Sequence, residues 1–317
     1  MNNKSQQLID DSFSTELFPT IQNNKVQETV FDFGTFNVIG GPTGSGMTSA
    51  LCSLTAEALK QGKTVAYFFN NDPIDRILAK IQLSLLAQKY FYEQNDTDPL
   101  RSEDPFWKYI ELILKQKYIK DKDPINRRAI DVSQSFGNLT SRGPDGSRKF
   151  VLKDCAEIKS HAGSELEYFK DLVSGLPKGS IIIIDYLQGL DILPEETGSY
   201  EERQGRMVRE IKHLAWKTGN IFICDALFHP DSDCQEHPQL LDISNFDKPD
   251  EVQWMAGIAI GINRVHKPGC TSEYYYQIVK DNDSALTGPY WLDQTGYPYG
   301  FIHAKKDQNG MPCRCFK

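Results

Sequence analysis

Apolar residues recur along this chain in two alternating patterns. Short runs rich in β-branched and aromatic residues are typical of buried strands, and apolar residues spaced three to four apart predict helices. The first pattern predicts strands at residues 36–39, 64–69, 150–152, 180–184, 221–224, 256–262 and 274–279. The second predicts helices at residues 49–61, 73–92, 104–117, 164–174, 200–218 and 248–254. Because the two alternate and the strands are apolar on both faces, we expect an α/β fold with a central, mostly parallel β-sheet flanked by helices.

Three segments stand outside this alternation. Residues 1–30 are polar, and we expect an N-terminal arm or linker ahead of one domain at residues 31–317. Residues 121–149 are rich in Asp, Asn, Arg, Gly and Ser, which predicts a surface loop. The last predicted strand is expected to form a hairpin with residues 290–292.

Composition narrows the class of protein. The chain has 317 residues, a formal net charge of −8 and seven cysteines, which show no regular spacing and are typical of reduced thiols. No apolar run approaches the ~20 residues of a membrane-spanning helix, and the polar N-terminus is not typical of a signal peptide. The acidic balance argues against a broadly basic nucleic-acid surface but is compatible with a local basic channel in a ring. We therefore expect a cytoplasmic protein with no membrane partner.

A glycine-rich segment joins the first predicted strand to the first predicted helix. Its sequence, GGPTGSGMTS at residues 40–49, has the Gly-x-x-x-x-Gly-x-Thr spacing of a phosphate-binding P-loop. The backbone amides of such a loop hold phosphates at the N-terminus of the helix. The candidate nucleotide-binding residues are Gly41, Thr43, Gly44, Ser45, Gly46, Met47, Thr48 and Ser49. The alternative interpretation is a glycine-rich turn that binds no ligand.

The P-loop departs from its motif at Met47, where the motif has a lysine. That lysine neutralises charge on the β- and γ-phosphates of the nucleotide. The methionine side chain carries no charge. The segment therefore predicts a nucleotide-binding architecture in which hydrolysis is weak or absent.

Asp185 ends the most apolar predicted strand, a run of four isoleucines. Ligands of open α/β sheets bind at the carboxyl ends of the strands. Asp185 is therefore the candidate Walker B carboxylate, and together with the Thr48 hydroxyl it is the candidate Mg²⁺ ligand. A helix N-cap or a strand-end turn is the alternative role for Asp185.

Asp72 follows the second predicted strand at the same edge of the sheet. A base that orients the attacking water is expected there, and Asp72 is the carboxylate at hand. It is also the expected N-cap of a helix that starts at Pro73, which is the interpretation we favour.

Basic residues recur every three positions on the helix predicted after Asp185. They are Arg203, Arg206, Arg209 and Lys212. Placed on one face, they would contact nucleic-acid phosphates. The alternative is a solvated face that pairs with Glu201, Glu202 and Glu210.

Several segments together resemble the RecA/DnaB superfamily, specifically the C-terminal motor domain of DnaB-type replicative helicases. In chain order they are FGTFNVIGGPTGSGMTS, TVAYFFNND, IIIIDYLQGL, MVREIKHLAWKTG, NIFICDAL, AGIAIGINR and KDNDSALTGPYWL, over about residues 31–302. The run Asp185-Tyr186-Leu187-Gln188 is the most specific of them. The resemblance implies a RecA-like P-loop NTPase fold that uses ATP or ADP with Mg²⁺. It also implies a homo-oligomeric ring, DNA or replication and mobile-element proteins as partners, and a linker helix at residues 5–24 that docks on a neighbour.

The resemblance also implies catalytic groups, and this sequence departs from them beyond Met47. The family's glutamate after the second strand falls on Asn71, or one position off on Asp72. The glutamine that senses the γ-phosphate falls on Ala226, with Asp225 before it.

A further departure concerns the lysine-x-arginine finger that reaches into a neighbouring subunit's site. Lys280 matches the lysine, whereas Asn282 stands at the arginine position. Arg209 and Lys212 match basic positions of the family's helix. Each lost group is worth orders of magnitude in comparable sites.

These departures predict a DnaB-like protein that is catalytically degenerate, serving as a nucleotide-binding or scaffold component in DNA replication or mobile-element processes. One alternative is an active, divergent DNA-dependent ATPase or helicase. In it, Lys280 of a neighbouring subunit replaces the missing cation, and Asp72 or Asp225 is the base. Another alternative is a nucleotide-independent module that presents surfaces to a protein partner.

Overall fold

The structure is a computed structural model. It describes residues 12–22, 25–70, 72–87, 124–142, 148–161, 163–193, 198–228, 237–246, 251, 254–265, 273–281, 287–295, 301–309 and 311–315.

A nine-stranded sheet forms the centre of the molecule, and two further strands pair as a separate hairpin. The hairpin strands are β1 (Ser12–Gln22) and β2 (Lys25–Asp32). The sheet strands are β3 (Phe36–Gly41), β4 (Val65–Phe69), β5 (Phe150–Asp154), β6 (Ile181–Asp185), β7 (Ile221–Leu227), β8 (Ile258–Val265), β9 (Glu273–Asp281), β10 (Thr287–Thr295) and β11 (Phe301–Ala304). Their order across the sheet is β11-β10-β9-β8-β3-β7-β6-β4-β5. The strands from β8 to β5 run parallel, and β9, β10 and β11 add an antiparallel edge.

Helices cover both faces of this sheet. They are α1 (Met47–Lys60), α2 (Ile74–Ala87), α3 (Pro124–Thr140), α4 (Cys155–Lys159), α5 (Glu165–Ser174) and α6 (Tyr200–Thr218). Short 3₁₀ turns lie at Leu187–Leu190 and Ile243–Asn245. Within the described ranges, no helix is long and apolar enough to cross a membrane.

The isoleucine strand β6 explains why the sheet is buried on both sides. Alternate residues of a strand point to opposite faces. Ile181 and Ile183 join the core that contains α1 and α2, whereas Ile182 and Ile184 join the core that contains α5 and α6. A continuous apolar run is the sequence pattern of such a doubly covered parallel strand.

The predicted sheet is confirmed, since every predicted strand and the β9–β10 hairpin are present. The helices predicted from residues 49, 73, 164 and 200 are present within two residues of their predicted starts. The helix predicted at residues 104–117 lies outside the described residues, as does most of the one at 248–254. The surface loop predicted at residues 121–149 was wrong in part, because α3 occupies Pro124–Thr140.

The linker helix expected within residues 5–24 is wrong for the described residues, because Ser12–Gln22 is strand β1. Phe13 and Phe18 are fully buried in the core that also holds α1. The Tyr276 hydroxyl on β9 donates to the Pro19 carbonyl oxygen at 2.8 Å. The hairpin is therefore packed against the sheet domain.

Candidate nucleotide site

The glycine-rich loop connects β3 directly to α1. Gly44 and Gly46 have φ values of 81° and 93°, which residues with a Cβ rarely adopt. Gly46 is the N-cap of α1, and its carbonyl oxygen accepts from the Ala50 amide at 2.9 Å. Met47 and Thr48 therefore lie in the first turn, where amide groups without intrahelical partners face outward. This is the backbone arrangement that binds phosphates.

Side chains from distant segments pack around this loop. A Cβ at Gly40 would lie 2.2 Å from the Phe246 ring and 2.9 Å from the Phe228 ring. A Cβ at Gly44 would lie 3.1 Å from Nη1 of Arg264, so this β8 guanidinium lies against the loop. Arg264 and Phe246 were not predictable from the sequence, because no motif links them to the loop.

Thr48 and Asp185 meet at the carboxyl edge of the sheet, as the sequence analysis expected. The Thr48 hydroxyl donates to Asp185 Oδ1 at 3.2 Å. The Tyr67 hydroxyl on β4 donates to Asp185 Oδ2 at 2.6 Å. A hydroxyl and a carboxylate in contact are suitable oxygen ligands for Mg²⁺. The role of Tyr67 was not predicted from the sequence. Tyrosine is common in apolar strands, so its presence in β4 did not indicate a contact with Asp185.

A second carboxyl group, Asp225 on β7, lies beside Asp185. Asp225 is 3% exposed and is hydrogen-bonded to Asp185. Burial, and then the neighbouring Asp185 charge, raises the pKa of Asp225 well above its usual range. Burial also raises the pKa of Asp185, but its hydrogen bonds with Tyr67, Asp225 and Thr48 and the charge of Lys80 oppose this. The two buried carboxyl groups therefore titrate as a pair, and their contact favours one shared proton.

Asp72 is engaged in ion pairs. Its carboxylate contacts Arg76 at 3.1 Å and Lys80 at 3.4 Å, both on α2. The helix begins at Ile74, two residues after Asp72, so the N-cap position that we favoured for Asp72 falls on Pro73. Two cations therefore occupy both oxygens of the carboxylate. Asn71 lies outside the described residues.

The site contains buried polar atoms without hydrogen-bond partners in the described part of the chain. Ser45 Oγ, Gln188 Oε1 and Asp225 Oδ1 are three of them. They belong to the P-loop, to the turn after β6 and to β7, which all lie at the carboxyl edge of the sheet. Such atoms cost free energy unless a ligand or water satisfies them. The residues present therefore fit a bound nucleotide with Mg²⁺, held by the loop amides, Thr48 and Asp185.

The Met47 side chain is 7% exposed, so it packs inward. Lys280 lies on β9, where its ammonium donates to the Ala256 carbonyl oxygen. Burial, and then the charge of Lys212, lowers the pKa of Lys280. Asn282 lies outside the described residues. Within one chain, the Lys280 ammonium is thus engaged by Ala256. Its strand β9 is separated by β8 from the loop strand β3.

The four basic residues of α6 do not share one face, which corrects the sequence interpretation. Successive steps of three residues turn 300° around a helix, so each step falls back by about 60°. Arg203 pairs with Asp191 at 3.1 Å, whereas Lys212 donates to the Trp254 carbonyl oxygen at 3.2 Å. Arg206 and Arg209 are exposed. Arg203 is therefore committed to an internal ion pair.

Two of the glutamates considered for pairing with these basic residues also contact other groups. Glu210 pairs with Lys170 on α5 at 3.0 Å. Glu202 forms a capping box with Ser199 at the start of α6. These acidic residues stabilise the helix start and the helix–helix contact.

A mostly parallel sheet with a P-loop after β3 and a carboxylate at the end of β6 defines the class of fold as RecA-like. No protein-family model and no curated protein matches the sequence. The fold is similar to that of a DnaB-like replicative helicase, whose structure was described with its interactions with primase (TM-score 0.56, 14% identity, 86% of this chain and 59% of that chain). It is also similar to the ATPase domain of G40P (TM-score 0.56, 13% identity, 86% and 85% of the two chains). The chain thus spans 59% of that helicase, and it has the fold of a DnaB-like helicase ATPase domain.

Proposed function

We propose that this protein binds ATP or ADP with Mg²⁺ and hydrolyses ATP slowly or not at all. The observation that carries the proposal is the contact of Thr48 with Asp185 at 3.2 Å, beside a P-loop whose lysine position is Met47. The two oxygen ligands and the loop amides support binding. Because the P-loop lysine is absent, charge on the β- and γ-phosphates is poorly neutralised. Because Arg76 and Lys80 occupy the Asp72 carboxylate, this group is not free to orient the attacking water.

The proposed biological role is a nucleotide-responsive scaffold in DNA replication or in mobile-element processes. The RecA-like fold supports it, and so does the similarity to a DnaB-like helicase described with its interactions with primase. Assembly as a ring and contact with DNA belong to the same proposal. Of the four basic residues predicted for this role, Arg206 and Arg209 are exposed, and they support a DNA contact.

Phosphate release tests the hydrolysis part of this proposal. We expect purified protein to release phosphate from ATP and Mg²⁺ no faster than Asp185→Asn, because the groups that stabilise the transition state are absent. The assay includes single-stranded DNA, since a divergent helicase would be stimulated by it. Magnesium-dependent release that disappears in Asp185→Asn would refute a degenerate site.

The same assay separates the alternatives. An active enzyme that borrows Lys280 from a neighbouring subunit would lose release in Lys280→Ala, with Lys305→Ala as an exposed control. A nucleotide-independent module would show no response of thermal stability to ATP or ADP, together with a stable complex with a protein partner. We expect neither result.

A further inference from the structure

Lys80 is a buried cation on the apolar inner face of α2. Its neighbours on this face, Ile77, Ile81 and Ser84, are fully buried, and Lys80 itself is 9% exposed. An ammonium group loses its hydration when buried, so such a residue is retained only where a partner or a ligand compensates. Lys80 departs from the pattern that packing alone would select, and such departures occur at functional sites.

Asp72 neutralises the positive charge of Lys80 only in part. The ammonium lies 3.4 Å from Asp72 Oδ2, longer than the ~2.7–2.9 Å of a strong charge-assisted hydrogen bond. Arg76 takes the other oxygen of the same carboxylate at 3.1 Å. One negative charge is thus shared by two cations. A lysine ammonium has three donors, so capacity remains for an anionic ligand.

The position of Lys80 along α2 places it beside the first turn of α1. The two helices touch where Ser53 and Ser84 are hydrogen-bonded at 3.3 Å. One turn earlier on α1 is Ser49, whose carbonyl oxygen accepts from Ser53, and one turn earlier on α2 is Lys80, whose carbonyl oxygen accepts from Ser84. Both helices start at the carboxyl edge of the sheet. Lys80 therefore lies level with Ser49, the last residue of the predicted phosphate-binding segment.

The charge of Lys80 also reaches the metal-binding side of the site. It lowers the pKa of Asp185 and that of the buried Cys52 on α1, against the larger effect of burial on both. Lys80 is therefore close enough to α1 and to the end of β6 for its charge to act on both groups. Met47 supplies no charge to this space.

We propose that Lys80 supplies the positive charge that faces the β- and γ-phosphates, in place of the lysine that Met47 replaces. This inference rests on the proposed function, because it requires that nucleotide be bound. On binding, the ammonium exchanges its long contact with Asp72 for a phosphate oxygen, while Arg76 keeps Asp72 neutralised. The cation thus comes from the same chain, and a neighbouring subunit is not needed for binding.

Nucleotide affinity measured by calorimetry with Mg²⁺ tests the inference. We expect Lys80→Met to weaken ATP and ADP binding roughly ten- to a hundredfold, the value of one charge-assisted hydrogen bond. AMP, which has no β-phosphate, should bind Lys80→Met and the wild type equally. Lys178→Met is the matched control, because it removes an exposed ammonium group at the opposite, amino edge of the sheet and should leave ATP affinity within about twofold. Thermal melting without nucleotide checks folding.

Two further variants make the result decisive. The double variant Met47→Lys/Lys80→Met should recover most of the ATP affinity, since it returns a charge to the motif position. The pair Asp72→Asn/Lys80→Met removes both members of the ion pair, which keeps the test valid if Lys80→Met alone unfolds. Lys80→Met that binds ATP as the wild type does, equal losses for ATP and AMP, or no recovery with Met47→Lys would overturn the inference. Wild-type protein that binds no nucleotide would instead overturn the proposed function itself.

Discussion

Asp185 depends on a residue that the sequence pattern did not reveal. Tyr67 stands 118 positions earlier in the chain and donates to Asp185 Oδ2 from the neighbouring strand β4. Because Tyr67 occupies Oδ2, Asp185 keeps Oδ1 toward Thr48 and the site. Tyr67 is thus a positioning residue for the candidate metal ligand.

Removal of the Tyr67 hydroxyl should destabilise the protein. We expect Tyr67→Phe to lower the free energy of unfolding by about 1–3 kcal/mol, because it leaves a buried carboxylate oxygen without its donor. Denaturant unfolding of Tyr67→Phe, of Asp185→Asn and of the double variant measures the coupling. Additive losses would show that the hydroxyl acts independently of Asp185 and would contradict this account.

The residues of the site were predictable where a motif keeps them close in sequence. Gly41, Gly46 and Thr48 follow from the P-loop spacing, and Asp185 follows from its place at the end of an apolar strand. Tyr67, Lys80 and Arg264 were not predictable, because the folded chain places them against Asp185, Asp72 and Gly44 respectively. Tyr67 and Arg264 are also ordinary residue types for strands.

The β1–β2 hairpin shows how one sequence pattern fits two structures. Phe13, Leu17 and Ile21 stand four apart, which is typical of a helix face. In β1, however, buried residues alternate at Phe13, Thr15 and Leu17, and a bulge between Thr15 and Thr20 then changes the register. A bulge breaks the period of two that identifies a strand. Local sequence therefore predicted the wrong element here.

The hairpin is attached to α1 through a carboxyl group with a shifted pKa. Glu57 accepts from the Thr15 hydroxyl and from the Glu16 amide. Burial raises the pKa of Glu57 from 4.5 to about 7, although both hydrogen bonds oppose this. The folded state therefore binds this proton more tightly than the unfolded chain. Ionisation of Glu57 costs stability, and the cost grows as the pH rises from about 4.5 to about 7.

Replacement of Glu57 should remove this pH dependence. We expect Glu57→Gln to be more stable than the wild type above pH 7, by on the order of 3 kcal/mol, with the difference vanishing below about pH 4.5. The glutamine retains an oxygen that accepts from Thr15 or Glu16. Denaturant unfolding at pH 4 to 8 measures the difference, with the exposed Glu167→Gln as control. A difference that is constant with pH would refute the shifted pKa.

At the scale of the molecule, the strand order brings the site together. Thr48 follows β3 and Asp185 is the last residue of β6. Strand β7 lies between these two strands and contributes Asp225. All three strands are parallel, so their carboxyl ends share one edge. The α/β class and the mostly parallel sheet were predictable from alternating apolar segments. The antiparallel edge strand β11 was not, since its residues carry no strong strand pattern.

The RecA-like fold persists here although the catalytic positions differ. Fold stability depends on the apolar strands and helix faces, whereas hydrolysis depends on a few polar groups that contribute little to the core. Uncharged side chains at Met47 and Ala226 are therefore compatible with this architecture.

Calorimetric titration of the wild-type protein with ATP, with and without Mg²⁺, tests the central claim most directly. We expect saturable binding with Mg²⁺, and clearly weaker binding without it, because Thr48 and Asp185 are then not joined to the phosphates through a metal. Thr48→Ala should bind with the same reduced affinity in either condition. Absence of binding with millimolar ATP and Mg²⁺ would contradict the account and leave the P-loop as a structural turn.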